Sequence, residues 1–97
     1  MFEITLKATA IKMIPEYYGL YSAEEIDSIF LQGATTNGLY KKEIVYDYLK
    51  RYPKSIQVAI YPYPYLVPVL SEQNNKYVRS EPNDTPSDNL LQLPHVL

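Results

Sequence analysis

Apolar and polar residues alternate along the first ten positions. Phe2, Ile4, Leu6, Ala8 and Ala10 interleave with Glu3, Thr5, Lys7 and Thr9. A period of two puts one face in a core and the other in water, which predicts a strand. The phase slips at Ile11 and Met13, so a bulge or the strand's end is expected there. Residues 14–22 hold Pro15, Gly19 and three tyrosines and read as a loop. Ser22-Ala23-Glu24-Glu25 fits a capping box ahead of a helix. Ile29-Phe30-Leu31 before Gly33 fits a short strand equally well, and periodicity does not separate the two readings of 22–32.

Ala34 to Gly38 reads as a polar turn. Ile44, Val45, Tyr48, Leu49 and Tyr52 then recur at helical spacing, with Lys42, Glu43, Asp47 and Lys50 between them. The pattern predicts a helix over about 40–52, stopped by Pro53, with Asn37 as the nearest good cap. Ile44, Val45, Tyr48 and Leu49 are its expected buried face. Ile56, Val58 and Ile60 alternate with Gln57 and Ala59 and predict a strand. Tyr61-Pro62-Tyr63-Pro64-Tyr65 follows. Its prolines cannot donate to a ladder, so it is a stiff connection or an edge. Further strands are expected at Leu66–Leu70, where Pro68 implies an edge or a bulge, and at Lys76–Ser80. The tail is rich in turn residues around a compact Asn89-Leu90-Leu91-Gln92-Leu93-Pro94 segment.

These elements add up to an α+β fold: about five short, mainly antiparallel strands with one amphipathic helix packed on the sheet. Its 97 residues make one domain, 1–97, with the C-terminal segment 81–97 packing back on the core. Such a domain buries enough surface to need no metal or disulfide. Composition alters this picture in one respect. There are eleven Tyr, two Phe and no Trp, so many rings with polar tips are expected half-buried at the surface.

The last third carries a spaced motif. Tyr77-Val78-Arg79-Ser80 is followed after three residues by Asn83-Asp84, then after three more by Asp88-Asn89-Leu90-Leu91, and after one by Leu93-Pro94. This pattern resembles the C-terminal signature of Domain of Unknown Function 3892, a family of small bacterial proteins. Ser80 stands where that family has Thr, and Asn83-Asp84 where it often has Asp-Gly. The family's element order is a strand, a Gly-containing turn, a helix and two strands. Ile26 to Gly33, Lys41 to Tyr52 and Ile56 to Leu70 resemble these in turn, and the resemblance therefore implies a strand at about 26–32. It also implies a bacterial or phage origin. It implies no activity, since the family has none assigned.

The candidate chemistry is thin. His95 is the only histidine and is the third residue from the end, where chains fray, so a fixed general base is not expected there. With no Cys and one His, no zinc site is legible. Asn83, Asp84, Asp88 and Asn89 are oxygen-rich but lack the alternation of a calcium loop, and Asx turns and caps explain them. Tyr46 and Lys50 lie one helical turn apart. Three scattered glycines supply no dinucleotide-binding turn, so the pair is a helix-surface contact. No catalytic residue, cofactor or metal is therefore assigned, and no enzyme activity is expected.

Two surfaces remain. Tyr61, Tyr63 and Tyr65 form the best candidate contact surface for a protein partner. Lys41, Lys42, Lys50, Arg51 and Lys54, beside Tyr40, Tyr46 and Tyr52, could grip nucleic acid along the helix face 41–54. Glu43 and Asp47 dilute that run, and a net charge of −2 argues against general nucleic-acid coating. Arg79, Asp88 and Asn89 form either a structural clasp, with Asp88 capping a turn near Arg79, or a ligand site. No apolar run reaches membrane-span length and no signal-peptide core is present, so a cytoplasmic protein is expected. The expectation is a non-catalytic interaction module. The alternative is a nucleic-acid-associated protein. The partner and the oligomeric state are not legible.

Overall fold

The computed structural model describes residues 6–14, 23–81 and 89–96. The fold is α+β, with six short strands in two sheets, mostly antiparallel, and one helix packed against strands. The strands are β1 (Leu6–Met13), β2 (Ile26–Gln32), β3 (Asn37–Lys41), β4 (Ile56–Val58), β5 (Leu66–Leu70) and β6 (Lys76–Ser80), and the helix is α1 (Lys42–Arg51). One sheet has the order β3-β2-β1-β4 and the other pairs β5 with β6. β1–β2, β2–β3 and β5–β6 are antiparallel, whereas β1–β4 is parallel, with Leu6 beside Ile56 and Ala8 beside Val58.

The phase slip in β1 has a physical cause. Leu6 and Ala8 point into the core, and so does Ile11, an odd number of residues further on. A bulge at Thr9, where Ala8 faces Leu31 and Ala10 faces Phe30, absorbs the extra residue. A second irregularity lies between Lys12 and Met13. The bulge thus falls at Thr9, just ahead of the slip expected at Ile11 and Met13, and the second shift lies within that stretch. β2 runs from Ile26 to Gln32, which decides the ambiguous segment in favour of a strand, preceded by one 3-10 turn at Ala23–Glu25. Gly33 follows it because a Cβ there would run into the Leu6 side chain.

Four expectations are corrected. The polar turn at 34–38 is shorter than the pattern suggests, because Asn37 already belongs to β3 and faces Gln32. Asn37 therefore does not cap the helix. The N-cap is Lys41, which makes no side-chain cap hydrogen bond because the chain passes straight from β3 into α1. The buried face of α1 is also narrower. Val45 and Leu49 are buried, but Ile44 is 56% exposed and Tyr48 is exposed as well. The buried arc turns towards Tyr46, which packs against the core on the side where β6 lies and carries the Lys76 ammonium 5.4 Å from its ring. Finally, β4 stops at Val58. Residues beyond it bend into a turn, with the Tyr63 N–H donating to the Ile60 carbonyl.

The core lies between the first sheet and α1 with the β5–β6 hairpin. Ile11, Ile29, Val45, Leu49, Ile56 and Leu66 are among its fully buried members. Leu90 and Leu93 join it from a 3-10 turn at Asn89–Gln92 and the residue after it. The chain then runs beside β1. The Ile11 N–H donates to the Pro94 carbonyl at 2.9 Å, and the Val96 N–H donates to the Ile11 carbonyl at 2.8 Å. His95 is thereby held in a parallel bridge with Ile11 instead of fraying, although its side chain is exposed.

Candidate interaction surface

The Tyr-Pro segment does not present its three rings alike. Tyr61 is 76% exposed and Tyr63 49%, with their ring centroids 6.1 Å apart. Tyr65 is half-buried and bridges to Gln57 of β4, while its N–H donates to the Glu81 carboxylate at 3.1 Å. Pro64 is buried, and its carbonyl accepts the Val58 N–H at 2.8 Å. The peptide bond between Tyr61 and Pro62 is cis. Of the three candidate rings, only Tyr61 and Tyr63 are therefore exposed.

Their placement is fixed by neighbours that the sequence pattern did not mark. Gln57 Nε2 donates to the Tyr63 carbonyl at 3.2 Å, and Lys7 Nζ donates to Gln57 Oε1 at 2.7 Å. The same ammonium sits 5.6 Å from the centre of the Tyr63 ring, within cation–π range. Tyr63 has φ 60°, in the left-handed region that a bulky residue rarely adopts. Such a conformation persists where surroundings over-determine it, often at contact sites. Lys7 and Gln57 were findable only as the polar positions of two strands that pair side by side, with Lys7 beside Gln57.

The basic run at 41–54 is not gathered on one face. Lys41 Nζ donates to both oxygens of Asp27 at 3.1 Å, and Lys42 Nζ donates to the Glu24 carbonyl at 2.7 Å. Arg51 lies over the Tyr52 ring at 5.7 Å near the other end of the helix. Asp27 accepts a further 2.6 Å bond from the Ser28 hydroxyl. That bond first, then Lys41, holds its carboxyl below the usual aspartate range against the opposing effect of burial. Lys76 is pushed up by its hydrogen bond to Asp47, at 2.9 Å.

The C-terminal motif divides by burial. Arg79 is exposed on β6 opposite Val67. Asn89 is buried, and its N–H donates to the Ser80 hydroxyl at 3.1 Å, with Ser80 itself buried. Asp88 lies outside the described residues, and so does any contact it makes with Arg79. Asn83 and Asp84 lie outside them too. Among the described residues no group of three His, Cys, Asp or Glu could hold a metal ion. No helix among them is long and apolar enough to cross a membrane.

Two depressions mark the first sheet. One of about 250 Å³ lies between α1 and the sheet, lined by Leu6, Leu31, Tyr40, Ile44 and Tyr48 among others. The second, about 590 Å³ and wide open, lies over the β2–β3 turn with Lys7 as its charged edge. The first offers shape and apolar surface, the second backbone and hydroxyls. Neither gathers Arg79 or Asn89.

A family model described as a protein of unknown function, DUF3892, matches residues 46–94. The chain belongs to this family. In this DUF3892 protein the matched residues run from Tyr46 in α1 through β4, β5 and β6 to Pro94, so they include Tyr61, Tyr63, Arg79 and Asn89. β1, β2 and β3 precede the match. No curated protein and no solved structure matches the DUF3892 chain.

Proposed function

We propose that this protein is a small non-catalytic interaction module of a bacterial or phage system, and that it docks a protein partner through Tyr61 and Tyr63. The observation that carries the reading is the exposed pair of rings, Tyr61 at 76% and Tyr63 held at a left-handed φ by the Gln57 and Lys7 contacts. Tyrosine supplies large contact area at low entropic cost, and a rigid backbone lowers that cost further. The competing reading, nucleic-acid binding by the helix face 41–54, is weakened by the engagement of Lys41 and Lys42 with Asp27 and Glu24.

The test compares the protein with a Tyr61→Ser/Tyr63→Asn variant, Asn being chosen because it tolerates positive φ. Both are immobilised and exposed to a lysate of the source organism. Reproducible capture by the native protein that the variant loses, with unchanged thermal melting, supports the reading. An identical captured set overturns it. Submicromolar, steeply salt-dependent binding to a mixed oligonucleotide would favour the nucleic-acid reading instead.

A further inference from the structure

The two edges of the four-stranded sheet are treated differently. On the β4 side, β4 bridges to Tyr65 through Gln57, and β1 beyond β4 is bonded to Pro94 and Val96. On the other side, β3 pairs with β2 alone among the described residues. The outer edge of β3 has no proline and no bulge, two of the devices that keep strand edges from associating. The Gly33 N–H donates to the Thr36 carbonyl at 2.7 Å. Continuing that alternation along the hairpin, Gly38 and Tyr40 bond back to β2, while Asn37, Leu39 and Lys41 turn their N–H and C=O groups outward.

We propose that two copies of this chain associate through the outer edge of β3, antiparallel and two-fold about Leu39, so that the two four-stranded sheets run on as one. The register is self-complementary. Leu39, 42% exposed, meets Leu39 of the second copy on the face that α1 leaves uncovered, where it already lies beside Phe30. Tyr40 of each copy comes beside Gly38 of the other, the position with no side chain to displace. Lys41 comes opposite Asn37 of the other copy and not opposite a second lysine. Its own charge is met within each copy by Asp27, so the seam carries no like-charge repulsion. This edge lies across the sheet from Tyr61 and Tyr63, so the inference is independent of the docking surface proposed above. Five residues of edge strand bury well short of the about 800 Å² per partner of a standard interface. The association is therefore reversible with concentration.

Sedimentation equilibrium over a wide concentration range tests it with paired substitutions at one exposed site. The native protein should pass from monomer to dimer as concentration rises. Asn37→Lys places a lysine opposite Lys41 twice per dimer and should weaken association at least tenfold. Asn37→Asp places a carboxylate there and should strengthen it several-fold, an advantage that salt removes. Because Asn37 is exposed, both variants should melt as the native monomer does. A protein that stays monomeric at every accessible concentration overturns the proposal. So does a dimer whose affinity ignores the charge at position 37.

Discussion

Leu49→Ala is the perturbation that most directly tests how α1 is seated. Leu49 is 1% exposed and Val45 equally buried, while Ile44, one turn earlier on the adjoining stripe, is 56% exposed. The substitution removes three carbons from the core. At about 0.8 kcal/mol per buried methylene the transfer loss is about 2.4 kcal/mol. A residual void of about 60 Å³, at about 24 cal/mol per Å³, adds about 1.5 kcal/mol. The expected cost is therefore about 3–4 kcal/mol, a large part of the stability of a domain this size. Ile44→Ala loses little buried area and gains a few tenths of a kcal/mol in helix propensity, so its net effect should stay within about 0.5 kcal/mol. Urea unfolding followed by circular dichroism measures both, and an unchanged denaturant slope licenses the comparison. Equal losses in the two variants would refute the seating. A larger loss from Ile44 would mean that α1 is rotated by most of one residue about its axis.

Two further outcomes follow from single contacts. Asp27 has its pKa lowered by Ser28 and Lys41, so its contribution is present above the unfolded aspartate value of about 3.9 and is lost as pH falls through the lower folded value. Asp27→Asn should cost at most about 1 kcal/mol at pH 7, and its melting temperature should converge with the native one as the pH is taken below the lowered folded value; a gap that persists in acid would show that the carboxylate is not the cause. Val96→Pro removes the N–H that binds the Ile11 carbonyl and should cost about 1–3 kcal/mol, while Val96→Ala, which keeps it, should cost clearly less; equal melting curves for the two would show that the bridge beside β1 does not hold the chain end.

Most of the strands were legible because half-buried strands write their period into the sequence. The pattern places β5 and β6 at their bounds, whereas β2 is placed at 26–32 by the family resemblance, its own period leaving strand and helix open. β3 was not legible, because Asn37-Gly38-Leu39-Tyr40-Lys41 is short, begins with two turn-favouring residues and buries none of them. The signal that could have found it is a polar, glycine-bounded turn set between two runs of β-formers, which is how a hairpin reads. The parallel pairing of β1 with β4 was likewise invisible, since periodicity reports which face of a strand is buried and not which neighbour it has. The helix shows the limit from the other side. Ile44, Val45, Tyr48 and Leu49 share a helical face by spacing, but the arc that is buried depends on where β5 and β6 stand, and that is a tertiary fact. Tyr61, Tyr63 and Tyr65 alternate identically in sequence, yet Tyr65 is drawn into the fold by its bridge to Gln57 while the other two are left outside.

The C-terminal motif draws a physical distinction among its own members. Ser80, Asn89, Leu90 and Leu93 are all buried. The Ser80 hydroxyl ties the start of the 3-10 turn to the end of β6, and the turn packs against β1 and β6 with its leucines in the core. Packing accounts for the two leucines, and the Ser80 hydroxyl meets the backbone N–H of Asn89, as a buried polar group in a closed core requires. Arg79 stands apart. It is exposed on β6 opposite Val67. Among the described residues of the DUF3892 signature, burial and hydrogen bonding thus set Ser80, Leu90 and Leu93 apart from Arg79, which faces solvent.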